Sequence, residues 1–249
     1  MCIRVIYVIY KCYNSIMYKR KHWVAVVIGR VAFLIAFFTI ATLVVISAAG
    51  LKIEFKERRV IQTSMIIVSS EPSDATLTLN GETQNGKSPW RLNNLLSGVH
   101  QLEITKKGYS KWLKNIQLSP GETALVDEPI LYLSSPSEIP LDAKYQNNLV
   151  ANLDKLEEDN SIKITNGNEL WRDNKLVTRV SQEIFKPRTY RDDQHISFIS
   201  GGWLHITDID GTNDYTPVQL DENSNYLFIN KGMTLVYKKG DMVSALKIR

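Results

Sequence analysis

The sequence predicts a mainly β protein carried behind one transmembrane helix. Three observations lead there. Val31–Leu51 is an uninterrupted apolar run. Residues 64–133 hold short apolar segments of period two, divided by Gly, Pro and Asn-Gly turns. From Ser161 onward a strand, a Gly-containing turn and a second strand recur. With 44% apolar residues the 249-residue chain can bury a core and is not wholly disordered. Its two cysteines are too few for a disulfide scaffold or a Cys-rich zinc module.

The first element is the anchor, placed within residues 1–60. Val31–Leu51 runs twenty-one residues without a charge. At about 1.5 Å per residue this crosses a hydrocarbon layer of about 30 Å. Arg30, just before it, is placed to snorkel toward the inner headgroups, with Trp23 at the interface. Six Lys/Arg stand on or before Arg30, including Lys19-Arg20-Lys21, and four follow Leu51 among Glu54 and Glu57. That bias puts the N-terminus inside. Ser47-Ala48-Ala49 would suit signal-peptide cleavage. The run, however, exceeds the usual apolar core of about 7–15 residues, so an uncleaved anchor is expected. Cys2 and Cys12 then face the reducing side as incidental thiols, and Met17, before Tyr-Lys-Arg-Lys, is a rival start to Met1.

Charge follows the same division. Of 30 basic and 26 acidic groups, residues 1–63 hold ten and two, leaving 20 and 24 in residues 64–249. The overall +4 therefore describes the anchor. The exterior lacks the concentrated basic face of a nucleic-acid binder, and no nucleic acid is expected as a partner.

Residues 61–134 read as a compact β-sandwich of six or seven short strands. Met65-Ile66-Ile67-Val68 ends at Ser69-Ser70-Glu71-Pro72. Ala75, Leu77 and Leu79 share one face, and Asn80-Gly81 marks a hairpin. His100, Leu102 and Ile104 alternate with Val99, Gln101 and Glu103. Leu113, Ile116 and Leu118, then Leu125-Val126 and Ile130–Leu133, supply the remaining strands.

The ordered landmarks of this stretch resemble the PEGA domain. They are Pro72-Ser73-Asp74-Ala75, Leu79-Asn80-Gly81, Gly86-Lys87-Ser88-Pro89, Gly98-Val99-His100 and Gly108-Tyr109. Where the family has Pro-Glu-Gly-Ala, this chain keeps Pro72 and Ala75 and departs between them. The resemblance implies a small extracytoplasmic β-sandwich of surface proteins, usually beside other modules, and implies no catalysis. Gly81, Gly86, Gly98 and Gly108 are expected in turns, with Pro72 and Pro89 at strand edges. Tyr109 and Trp112 are expected to cap the core. Stacking of a carbohydrate on Trp90, Tyr109 or Trp112 is the less favoured role.

Ser134–Pro140 reads as a Ser/Pro linker opening the last part, 135–249. Leu149, Val150, Leu153 and Leu156 follow at helical spacing. Ile162–Gly167 with Leu170 recurs as Ile196–Gly201 with Leu204, an offset of 34, and as Tyr226–Gly232 at offset 30. Asp192–Ile199 through Asp208–Asn213 resembles a blade of TolB-like or WD-like β-propellers, with Asp210-Gly211 as its hairpin turn. A blade needs about 40–45 residues and a ring at least four, so two to three partial blades fit and a closed ring does not. The expected fold class is mainly β: a single transmembrane helix, a PEGA-like β-sandwich, then an incomplete β-propeller-like antiparallel module.

Catalytic signals are missing, and no enzyme, cofactor or metal is expected. Asp208, Asp210, Asn213 and Asp214 lack the calcium-loop register, and Glu222 falls outside it. His22, His100, His195 and His205 have no zinc-ligand spacing. Ser197 and Ser200 lack a nucleophile elbow. The expectation is a non-catalytic, single-pass, bacterial-type envelope or cell-surface protein with its C-terminal part extracytoplasmic. Its partner would be another envelope protein, met through an open strand edge. The alternative is a cell-wall or surface glycan, stacked on Trp90, Trp112, Trp171 or Trp203. An unrecognised hydrolase ranks last.

Overall fold

The computed structural model describes residues 23, 26–46, 50–54, 59–127, 129–141, 149–153, 155–156, 159–191, 193–240 and 242–249. The chain forms two compact units, 1–63 and 64–249.

In the first unit, α1 spans Val26–Ile46, 21 residues whose apolar side chains are left uncovered by protein. It is the one helix among the described residues long and apolar enough to cross a membrane. Such a helix suits an anchor or a signal sequence. Thr39 and Thr42 donate their hydroxyls to the Ile35 and Phe38 carbonyls, which satisfies both inside the helix. Arg30 lies within α1 rather than before it. Leu51, counted by sequence in the apolar run, instead starts β1 (Leu51–Glu54), paired antiparallel with β2 (Arg59–Gln62). Gly50, at φ 66°, takes the left-handed turn that separates helix from hairpin. Cys2, Cys12, Met17, Lys19–Lys21, His22 and Ser47–Ala49 lie outside the described residues.

The second unit opens with a sandwich. One sheet has the order β6 (Trp90–Leu95), β3 (Ser64–Val68), β9 (Thr123–Val126), with β3 and β9 parallel. The other has β5 (Glu82–Thr83), β4 (Thr76–Leu79), β7 (Gly98–Thr105), β8 (Trp112–Leu118). The period-two faces meet: Ile66, Val68, Leu77, Trp90, Leu102, Ile104 and Trp112 form the core. The strand β6 was not expected from sequence. Ile130–Leu133 makes only isolated bridges, to Glu71 and Tyr109. Its alternation sends Leu131 into the sandwich core, and Ile130 and Tyr132 into the next core.

The rest folds as three antiparallel sheets: β11 (Ile162–Thr165), β12 (Glu169–Arg172), β13 (Lys175–Arg179); β14 (Ile184–Tyr190), β15 (His195–Ser200), β16 (Trp203–Asp208); and β17 (Asn225–Ile229), β18 (Thr234–Lys239), β19 (Met242–Lys247). Each sequence repeat is a hairpin of these sheets. Ser134–Pro140 is not a free tether. It carries β10 (Ser137–Ile139), which adds to β19, because an exposed β19 edge is satisfied by the nearest unpaired strand. The helical turn at 149–153 packs Leu153 on Val236 and Ala245.

Candidate functional site

The sandwich and the following sheets meet at a built junction. The Trp112 indole, buried at the start of β8, donates to Asp208 Oδ2 at 3.0 Å. Asp208 ends β16, and the same oxygen accepts from Asn213 Nδ2 (2.8 Å) and Thr212 Oγ1 (3.4 Å). His195 Nε2 lies 3.3 Å from Asp208 Oδ1, within ion-pair range but without hydrogen-bond alignment. Across the same seam Asn213 Oδ1 accepts from the Leu113 amide, and Asp210 pairs with Lys114. The carboxylates suggestive of a cation loop are thus occupied by donors of the protein itself. Asp210-Gly211 is a hairpin turn, with residues 212–218 returning beside β16.

A second contact clamps Glu71, in the first turn of the sandwich. Arg191 holds it bidentately (2.6 and 2.9 Å), and Arg249 Nη1 approaches to 2.8 Å. The Tyr132 ring stacks on Tyr215 at 4.5 Å, and the Tyr215 hydroxyl donates to the Leu133 carbonyl. Burial holds the Tyr132 phenol well above its usual pKa, so it stays neutral.

Two grooves flank β14. The first, about 740 Å3, is lined by Arg188–Arg191, Glu71 and the Leu227–Gly232 turn. The Tyr190 hydroxyl donates to the Gly232 carbonyl (2.6 Å), pinning that turn to β14. The second, about 710 Å3, includes Asp159, Lys163, Phe185, Lys186 and Asn225. Lys186 Nζ donates to the Ser224 carbonyl and Asn225 Oδ1, while burial draws its pKa down.

Burial pushes the Asp159 carboxyl upward, but donors from Ser161 and Thr189 prevail and hold its pKa at about 2. A depressed carboxylate pKa stabilises the fold above the unfolded value, 3.8, and that contribution fades as pH falls toward 2. Asp159→Asn should therefore lower the urea midpoint at neutral pH, and its gap from the parent should close between about pH 4 and about pH 2. A gap independent of pH would contradict the assignment.

The residues singled out by sequence divide clearly. Gly81, Gly86 and Gly108 sit at positive φ in turns or bends, whereas Gly98, also at positive φ, opens β7 rather than lying in a turn. Pro72 and Pro89 follow cis peptide bonds, and Ala75 is buried. His100 bridges two turns, with Nε2 2.7 Å from the Leu96 carbonyl and Nδ1 3.1 Å from Asn80 Nδ2. Tyr109 packs on the sandwich core, with Lys106 Nζ 4.9 Å from its ring centroid. Trp90 and Trp112 are core residues, 4% and 1% exposed, and offer no face for a sugar. Trp171 is half-buried and donates to Glu169; Trp203 is 39% exposed. The structure does not bring these four tryptophans into one site. Among the described residues no three His, Cys, Asp or Glu side chains converge on a metal position. The seam residues Glu71, Arg191 and Arg249 carried no local sequence signal, since their partners lie far along the chain, and Asp208 was read only as a member of a cation-like loop.

Residues 63–130 match the family model of the PEGA domain. The matched stretch is the sandwich, from Thr63 to Ile130. No curated protein matches the chain.

Proposed function

We propose that this chain is a non-catalytic, single-pass envelope protein that displays residues 64–249 outside the membrane. The observation that carries this reading is the PEGA match at 63–130 together with an apolar helix of 21 residues earlier in the sequence. PEGA domains are often found in extracellular or surface proteins. The basic excess before α1 supports an N-terminus on the inside. Three successive antiparallel sheets, the last completed by β10, support a partial, propeller-like array beyond the sandwich. Its partner is another envelope protein, with the edge of β17 as the place for strand addition. A bacterial-type envelope is the setting this reading implies.

Protease treatment of intact cells tests it. Peptides from residues 64–249 should be released, while α1 stays in carbonate-washed membranes. Residues 64–249 left uncut on intact cells, but cut after lysis, would overturn the topology.

A second reading, binding of a surface glycan, is favoured by the groove beside β14. Its lining mixes cations, polar side chains and an aromatic ring.

A further inference from the structure

The exterior unit is net acidic, 20 basic against 24 acidic groups, yet the groove between β14 and the Leu227–Gly232 turn is lined by Arg188, Arg191 and Lys231. Its one described acidic lining residue, Glu71, is already engaged by Arg191 and Arg249. That arrangement matters chemically. Arg249 stays 2.8 Å from Glu71, so Arg191 can turn part of its guanidinium fork to a ligand without stranding a bare carboxylate. Lys231 is exposed at the tip of the turn. Thr189 and Asn230 add neutral hydrogen-bonding groups, and the part-buried Phe228 ring packs 4.2 Å from Tyr190.

The groove is rigid where it needs to be. Tyr190 is buried and bonded to Gly232, and a Cβ on Gly232 would lie 2.6 Å from the Tyr190 hydroxyl. A volume of about 740 Å3 is that of a small-molecule or short-oligomer site. Cations beside an aromatic ring and neutral donors suit a sugar that carries charge. A nucleic acid would instead require a broad basic field, which an acidic unit does not supply.

We propose that this groove binds an acidic saccharide segment, with its carboxylate or phosphate held by Arg191 and Lys231 and its ring set against Phe228. This deepens the second reading above and does not depend on membrane orientation.

The test is hydrogen–deuterium exchange of the full chain in phosphatidylcholine nanodiscs. The probes are an oligouronate, an oligo(glycerol phosphate), neutral dextran oligosaccharide and single-stranded DNA. Slowed exchange in residues 186–191 and 226–233 with an anionic saccharide, but not with dextran, is expected. Response to the uronate alone makes the ligand group a carboxylate, response to the glycerol phosphate alone makes it a phosphate, and response to both makes it any sugar-borne anion. Lys231→Glu should weaken binding at least tenfold and exposed Lys175→Glu should not. Asn230→Asp serves as a second variant if the first disturbs exchange without probe. Protection confined to residues 1–63, equal protection by dextran or DNA, or undiminished binding by both groove variants would overturn the proposal. Because the nanodisc sample is blind to orientation, its failure is distinct from failure of the topology.

Discussion

Trp112→Ala is expected to destabilise residues 64–249 by about 4 kcal/mol, read as a fall in the urea midpoint of the full chain in nanodiscs. Two effects add. The ring is 1% exposed within the sandwich core, so truncation leaves a cavity among Ile66, Leu77 and Ile104. The lost indole N–H also removes one of the donors that keep the buried Asp208 carboxylate satisfied. Trp112→Phe retains most of the volume and loses the donor, so about 1–2 kcal/mol is expected there. A loss below about 1 kcal/mol in Trp112→Ala would contradict the packing described. One consequence concerns glycan assays: lost sugar binding in Trp112→Ala would report a damaged seam, because the ring has no open face.

Gly211→Ala should be nearly as severe, and a matched glycine shows why. Gly81 (φ 85°) has open space around a built Cβ, so its alanine variant carries only backbone strain, about 1–2 kcal/mol. At Gly211 (φ 77°) the added Cβ would sit 2.0 Å from the Val177 carbonyl oxygen and 3.3 Å from Thr178 Cβ. The obstacle is the backbone of β13, which cannot step aside as a flexible side chain could. A loss of about 3 kcal/mol or more is expected, with the 208–212 turn displaced from β13. Equal losses at the two glycines, measured by urea denaturation, would show that the turn does not pack as described.

These two positions also mark what sequence could and could not reveal. The strands β3 and β7 were legible because each buries alternate residues of one local segment. Asn80-Gly81 and the Gly-containing repeat turns were legible because positive φ selects residue type locally. The strand β6 was missed although Trp90 and Leu92 alternate, since Asn93-Asn94 resembles a turn and Asn94 indeed has φ 60°. Leu51 was counted in the apolar run but starts β1, because hydropathy does not register the turn at Gly50. The seam was illegible for a different reason. Glu71 and Arg191 are 120 residues apart, and Trp112 and Asp208 are 96 apart, so neither pair leaves a spacing to read. Trp112, expected to cap the core, is fully buried there, and its indole N–H donates to Asp208, a partner that no local spacing reveals.

The most direct test of the proposed architecture uses the chain's own cysteines, both of which precede α1. In the chain expressed from Met1 with Lys175→Cys, a membrane-impermeant maleimide should label intact cells at residue 175 alone. Cys2 and Cys12 should label only after lysis. Labelling of Cys2 or Cys12 on intact cells, with residue 175 protected until lysis, would contradict an exterior unit held behind an N-terminal anchor.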